Sequence, residues 1–294
     1  GDVYKRQNQF HVWFPGGIVI GGLVGYLMGK LGLGWQAQFA TMLLPLAAYA
    51  VLFVGQSMPK TERVEMGVST GDMFAACLHP VFLLLVICML LAAATELGPN
   101  QWIPNILENA GVSGLLVLVW ITGLMAVGRQ FAGPFVHRLQ PLGMLLGSAI
   151  LSAVGLFLMS QTSGPMLFAS ATVFAFGVCF FWPTMLGYTN ERFPKTGAMG
   201  LAIMGGAGML SASYVLPVIG RWYDDGIANR IPEGVTAEAL QSAEEGSEVA
   251  LQWASIQAEA GLEAFGQVAY LPVGLAVIFL ALFVVSPKKA TPNH

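Results

Sequence analysis

The stretch LLAAATELGPNQWIPN, residues 90–105, decides how this chain is read. An apolar run from Val81 to Ala94 leads into a glutamate, Glu96, followed by Gly98, Pro99, Asn100, Gln101 and Trp102, after which apolar residues resume. The surrounding 294 residues are 55% hydrophobic and 10% charged, so a carboxylate inside such a run needs an explanation. Soluble domains carry roughly 25% charged residues, and the mean hydropathy here is +0.68.

A bilayer core about 30 Å thick needs about 20 mostly apolar residues per helix. Windows of that kind lie near 12–29, 36–55, 74–97, 114–128 (extending toward 135), 141–160, 165–189, 197–219 and 265–285. They predict an all-α polytopic membrane protein with eight transmembrane helices, and they argue against a soluble domain. Alternating the connectors between the two sides places Lys5, Arg6, Lys60, Arg63, Arg129, Arg138, Arg192, Lys195, Lys288 and Lys289 on one side. Lys30, Arg221 and Arg230 fall on the other. Cytoplasmic loops retain lysine and arginine, so both termini are expected in the cytoplasm.

Cys77, Cys88 and Cys179 all sit in apolar windows, with neither disulfide nor metal-ligand spacing. The opening residues 1–7, GDVYKRQ, are polar, unlike the apolar helix they abut, and lack the plan of a signal peptide. They read as a foreign or truncated start with no role. In the first window Gly17, Gly21, Gly25 and Gly29 recur on one helix face, the pattern of a close-packing surface between membrane helices. Shifted by 184 positions, Gly16, Gly21 and Gly22 meet Gly200, Gly205 and Gly206, consistent with an internal repeat. Residues 224–264 hold nine of the sixteen acids. Apolar residues recurring from Leu240 to Leu262 predict an amphipathic helix lying over the outer surface, interrupted near Gly246.

The connector GRQFAGPFVHRLQP, residues 128–141, carries a resemblance. Gly128, Arg129, Gly133, Val136, Arg138 and Leu139 resemble the cytoplasmic signature of the major facilitator superfamily, with His137 where that family places an acid. NERFPKTGAMG, residues 190–200, resembles the family's loop between helices ten and eleven. Sugar-permease-like members related to the fucose permeases look closest.

The family has twelve helices in two six-helix halves. The resemblance covers residues 8–290 and implies that the eight spans are helices five to twelve of an N-terminally incomplete chain. Residues 8–55 would be the last two helices of the N-terminal bundle and 56–72 the cytoplasmic inter-bundle loop. Residues 73–289 would form the C-terminal six-helix bundle with its outer acidic loop. Gly128, Arg129, Gly133 and Arg138 would form a cytoplasmic gate motif. Pro15 is followed at once by Gly16 and Gly17, which departs from the helix-five signature of the family's drug–proton antiporters.

Ionisable groups within spans are costly and therefore functional candidates. Glu96, His11 and His79 qualify, and no lysine or arginine is expected at mid-span. The missing fixed cation points toward a neutral or cationic solute. Glu96 is the proton-coupling candidate. Asn100 and Gln101 offer donor and acceptor together to hydroxyls, and Trp102 offers a flat apolar face for a sugar ring. The helix is expected to continue to about residue 108, bent at Gly98-Pro99. Trp182, Thr184 and Tyr188 are further substrate-binding candidates.

No HExxH, GxSxG or Walker A pattern occurs, so an enzyme is not expected. The expectation is a secondary active transporter of the bacterial inner or plasma membrane, a symporter taking up a neutral sugar or polyol with a proton. The alternatives are proton-coupled efflux of drugs or metabolites, and a transport-dead receptor or scaffold. Expected partners are a small solute, a proton or other coupling ion, and the lipid bilayer. The chain is expected to be a monomer, with no nucleic acid, cofactor or metal.

Overall fold

Prolines set many of the helix starts in this chain. Pro80, Pro141 and Pro194 each open a helical segment, and Pro134 sits in the first turn of another. The ring fixes a helical φ and removes an N–H that would have no partner there. A computed structural model describes residues 2–57, 59–108, 111–244 and 246–285. The side chains of Val136 and His137 lie outside the described residues, as do Lys288 and Lys289 of the charge count.

In chain order the helices are α1 (Asp2–Phe10), α2 (Trp13–Lys30), α3 (Trp35–Ala40), α4 (Leu43–Phe53), α5 (Glu62–Glu65) and α6 (Thr70–Cys77). Then come α7 (Pro80–Glu108), α8 (Gly114–Gln130), α9 (Gly133–Arg138), α10 (Pro141–Ser160), α11 (Met166–Val178) and α12 (Phe181–Arg192). A 3-10 turn at Pro194–Thr196 leads to α13 (Gly197–Ala228), α14 (Ala237–Gln241), α15 (Glu248–Val268) and α16 (Tyr270–Val285). No strand occurs among the described residues. Among the described residues, seven helical segments are long and apolar enough to cross a membrane. Gly114–Gln130 is equally apolar but, at 17 residues, shorter.

The central element is α7. From Ala92 to Pro99 every residue is buried whatever direction it faces, as expected of a helix surrounded by others. It packs against α8, α12, α13, α15 and α16. Its start differs from expectation. The window at 74–97 is split, because Pro80 disfavours helical backbone at His79 and α6 ends at Cys77. The helix then runs uninterrupted through Pro99 and Pro104 to Glu108.

Close approaches fix the neighbours. Gly155 lies against the backbone of Phe174, and Gly177 against that of Ser152, locking α10 onto α11. Gly114 abuts the carbonyls of Ile103 and Pro104, closing the α7–α8 hairpin. The expected glycine stripe does not do this. A methyl added at Gly17, Gly21 or Gly29 would meet nothing within 4 Å. α2 instead rests on α8 through Gly22, whose missing Cβ would sit 2.8 Å from Val119. The period of small residues identified a smooth face but not the face that is covered.

The amphipathic helix over the outer surface is also corrected. After Gly246, held at φ 83° where glycine is favoured, Ser247 caps α15 by accepting from the Ala250 N–H. Only Ala269 separates α15 from α16. Gly266 meets Ser160 at one end of α10 and Gly143 meets Phe283 at the other, so one antiparallel register holds across the break. α15 therefore prolongs the last crossing, packed along α7, α10 and α13. Arg230 joins it there, through Glu259 at 3.3 Å and Glu263 at 2.8 Å.

Candidate functional site

Glu96 lies at mid-helix, about 24 Å along α7 from Pro80 and about 18 Å from Glu108 at 1.5 Å per residue. It is 0% exposed, which rules out a boundary residue reaching into headgroups. Across from it, on the last turn of α8, Arg129 is 1% exposed. Arg129 Nη2 stands 3.6 Å from Glu96 Oε1. Neither carboxylate oxygen has a hydrogen-bond partner.

The rest of the guanidinium is committed to backbone. Arg129 Nε donates to the Cys179 carbonyl at 2.7 Å, and Nη1 donates to the His11 carbonyl at 3.1 Å. Cys179 lies in the junction between α11 and α12, and His11 in the junction between α1 and α2. Gly128 makes the approach possible, since its missing Cβ would sit 2.8 Å from Cys179 Sγ. The ionisable groups around the pair are therefore Glu96 on α7, Arg129 on α8 and Cys179 between α11 and α12, with His11 beyond Arg129.

This arrangement overturns one expectation from the sequence. A cation does sit inside the bundle, and it belongs to the connector expected to be a cytoplasmic gate. That motif divides in two. Gly128 and Arg129 point inward, whereas Gly133 opens α9 with free space around it and Arg138 at its end is exposed. From sequence, Arg129 falls in the connector that follows the apolar core at 114–128, whereas α8 carries it as part of the helix, to Gln130.

The substrate candidates separate as well. Asn100 is buried one helix turn from Glu96, on the same face, and its Oδ1 has no partner. Gln101 is exposed. Trp102 turns toward α13, where its Nε1 donates to the Leu216 carbonyl at 3.3 Å and its ring lies 5.9 Å from that of Tyr223. Thr184 is buried and its Oγ1 is unpartnered; so is Trp182 Nε1, with the indole edge against Gly208 and near Met89. Tyr188 is half-buried one turn beyond Thr184.

Together these residues make a helical membrane bundle with an acid–base pair at its middle and unpartnered polar atoms on the helices beside it. A family model, Major Facilitator Superfamily, matches residues 10–222. The chain belongs to the major facilitator superfamily. No curated protein and no solved structure matches it. As a superfamily member it is a multi-pass membrane transporter, and its lipid-facing surface fits that identity. Phe157, Val277, Leu280 and Val284 all point outward.

In such a transporter the Glu96–Arg129 pair is chemically responsive. At 3.6 Å and an effective dielectric near 20, the attraction is on the order of 4–5 kcal/mol. Desolvation costs several kcal/mol for each ion. The two effects are of similar size, and no second donor favours the ionised carboxylate. Among the described residues the Glu96 carboxylate is held by one ionic partner.

Proposed function

We propose that this superfamily member is a secondary active transporter, similar to sugar permeases, that takes up a neutral sugar or polyol with a proton by alternating access. The observation that carries this reading is Glu96, wholly buried at mid-helix with Arg129 as its one ionic partner among the described residues. While Glu96 is ionised the pair has no net charge, so a neutral solute remains the simplest cargo despite the cation. Glu96 binds and releases the proton. Asn100 Oδ1, Trp182 Nε1 and Thr184 Oγ1, which lack partners, are the first atoms to meet solute hydroxyls. Gln101, Trp102 and Tyr188 border them on the same two helices.

On this reading α8, fourth in chain order, brings the crossings to eight, with α9 completing its passage, and both termini lie in the cytoplasm. Residues 8–55 and 73–289 belong to different bundles joined by the 56–72 connector, and 224–264 face outside. The superfamily makes a membrane transporter, not an enzyme, the expected class.

Arg129 favours one second reading. If Glu96 takes up the proton while solute is bound, the cation is free to hold a carboxylate, and the cargo would be a small organic acid.

Full-length protein reconstituted in proteoliposomes tests both. An imposed pH gradient, acidic outside, should drive accumulation of a labelled hexose or polyol that a protonophore abolishes. Competition by a monocarboxylate alone would select the second reading. Binding without accumulation would mark a receptor, and gradient-driven extrusion would mark an efflux carrier; either would overturn the proposal.

A further inference from the structure

The two carbonyls held by Arg129 have a common origin. In a continuous helix the His11 carbonyl would accept from the N–H of residue 15, and the Cys179 carbonyl from that of residue 183. Residues 15 and 183 are both proline and have no N–H. The surroundings match too. Trp13-Phe14-Pro15 opens α2 and Phe181-Trp182-Pro183 opens α12, each with its proline at the third helical position after a two-residue break. Cys179 is buried and His11 partly so, and a carbonyl shielded from water and left without a donor is costly.

We infer that Arg129 is the positioning residue of this site: its guanidinium supplies the two backbone donors that Pro15 and Pro183 withhold, and so ties the α1–α2 and α11–α12 junctions to Glu96. The geometry needs a planar fork. Nε and Nη1 serve two carbonyls while Nη2 faces the carboxylate. An ammonium is a compact point charge on a flexible stem and cannot span three such acceptors with fixed directions. The consequence is a mechanical link. α2 packs on α8, α12 packs on α7 and α13, and both junctions meet α7 and α8 at one side chain. A change of partner at Glu96 shifts the guanidinium, and the two junctions shift with it. This deepens the reading of Glu96 given above, but its test reads folded stability, so it fails or stands separately from proton coupling.

The test is a cycle built on the prolines. In a Glu96→Gln/Arg129→Met background no buried charge is left unpaired, and what is lost beyond it is the donation to His11 and Cys179. Thermal unfolding in detergent is measured with and without the added pair Pro15→Ala and Pro183→Ala, which returns an amide N–H to each carbonyl. The added pair should raise the midpoint by about 5 °C or more in that background and by clearly less when Arg129 is present. Arg129→Lys should not stand in for arginine, and the same proline replacements should recover part of its loss. Equal gains with and without Arg129 would show that the carbonyls do not depend on it, and full rescue by Arg129→Lys would show that charge alone matters. Either result overturns the inference.

Discussion

Arg129 Nη2 lies 3.6 Å from Glu96 Oε1, and neither side chain has more than 1% of its surface exposed. The two ends of this pair are not equivalent. Arg129 keeps two carbonyl acceptors if Glu96 is neutralised, whereas Glu96 keeps nothing if Arg129 is removed. Arg129→Met should therefore cost about 3–5 kcal/mol, the range for stranding a buried charge, and Glu96→Gln should cost less. The double variant should be more stable than Arg129→Met alone. Unfolding midpoints in detergent give the order, and Glu96→Gln proving the most damaging would contradict it.

The glycine contacts separate two faces that look alike in sequence. Gly177→Leu would press on the backbone of Ser152 and should cost at least about 1–3 kcal/mol. Gly21→Leu has open space and should stay within about 0.5 kcal/mol of the parent. Folded yield and thermal midpoint distinguish them, and a Gly21→Leu protein as damaged as Gly177→Leu would mean that a partner covers the stripe.

Trp102→Phe removes the donor to the Leu216 carbonyl while keeping a ring beside Tyr223. The loss should be about 1 kcal/mol, a fall of roughly 2–4 °C in the unfolding midpoint. An unchanged midpoint would show that the indole N–H is not spent on α13 and is free for solute.

Side-specific labelling tests the orientation. Cys77, Cys88 and Cys179 are buried and give no background. Glu238→Cys, in the exposed acidic segment, should react with an impermeant thiol reagent on intact cells. Lys60→Cys should react only after permeabilisation. The reverse pattern would invert the topology.

Much of the fold was legible because membrane helices announce themselves by length and apolar composition. What the sequence hid are relationships between helices. The spacing of Gly17, Gly21, Gly25 and Gly29 marks a smooth face, but nothing in it says which neighbour lies opposite, and the contact fell on Gly22 instead. The residues from Leu240 to Leu262 show helical periodicity, yet whether such a helix lies flat or prolongs the next one depends on contacts with α10 and α13. Glu96 stood out as a lone acid. Its partner did not, because Arg129 borders an apolar window inside a stretch that also resembles a surface signature. The recoverable clue was the pair of aromatic–aromatic–proline triplets at 13–15 and 181–183, each freeing a carbonyl that some donor must satisfy.

The central claim, that Glu96 carries the coupled proton, is tested most directly by Glu96→Gln in proteoliposomes containing the full-length protein. The substitution preserves shape but cannot release a proton. Accumulation of a labelled neutral sugar or polyol under an imposed proton gradient should be abolished. Counterflow exchange, which needs no deprotonation step, should persist. Accumulation at the parent level in Glu96→Gln would contradict the account.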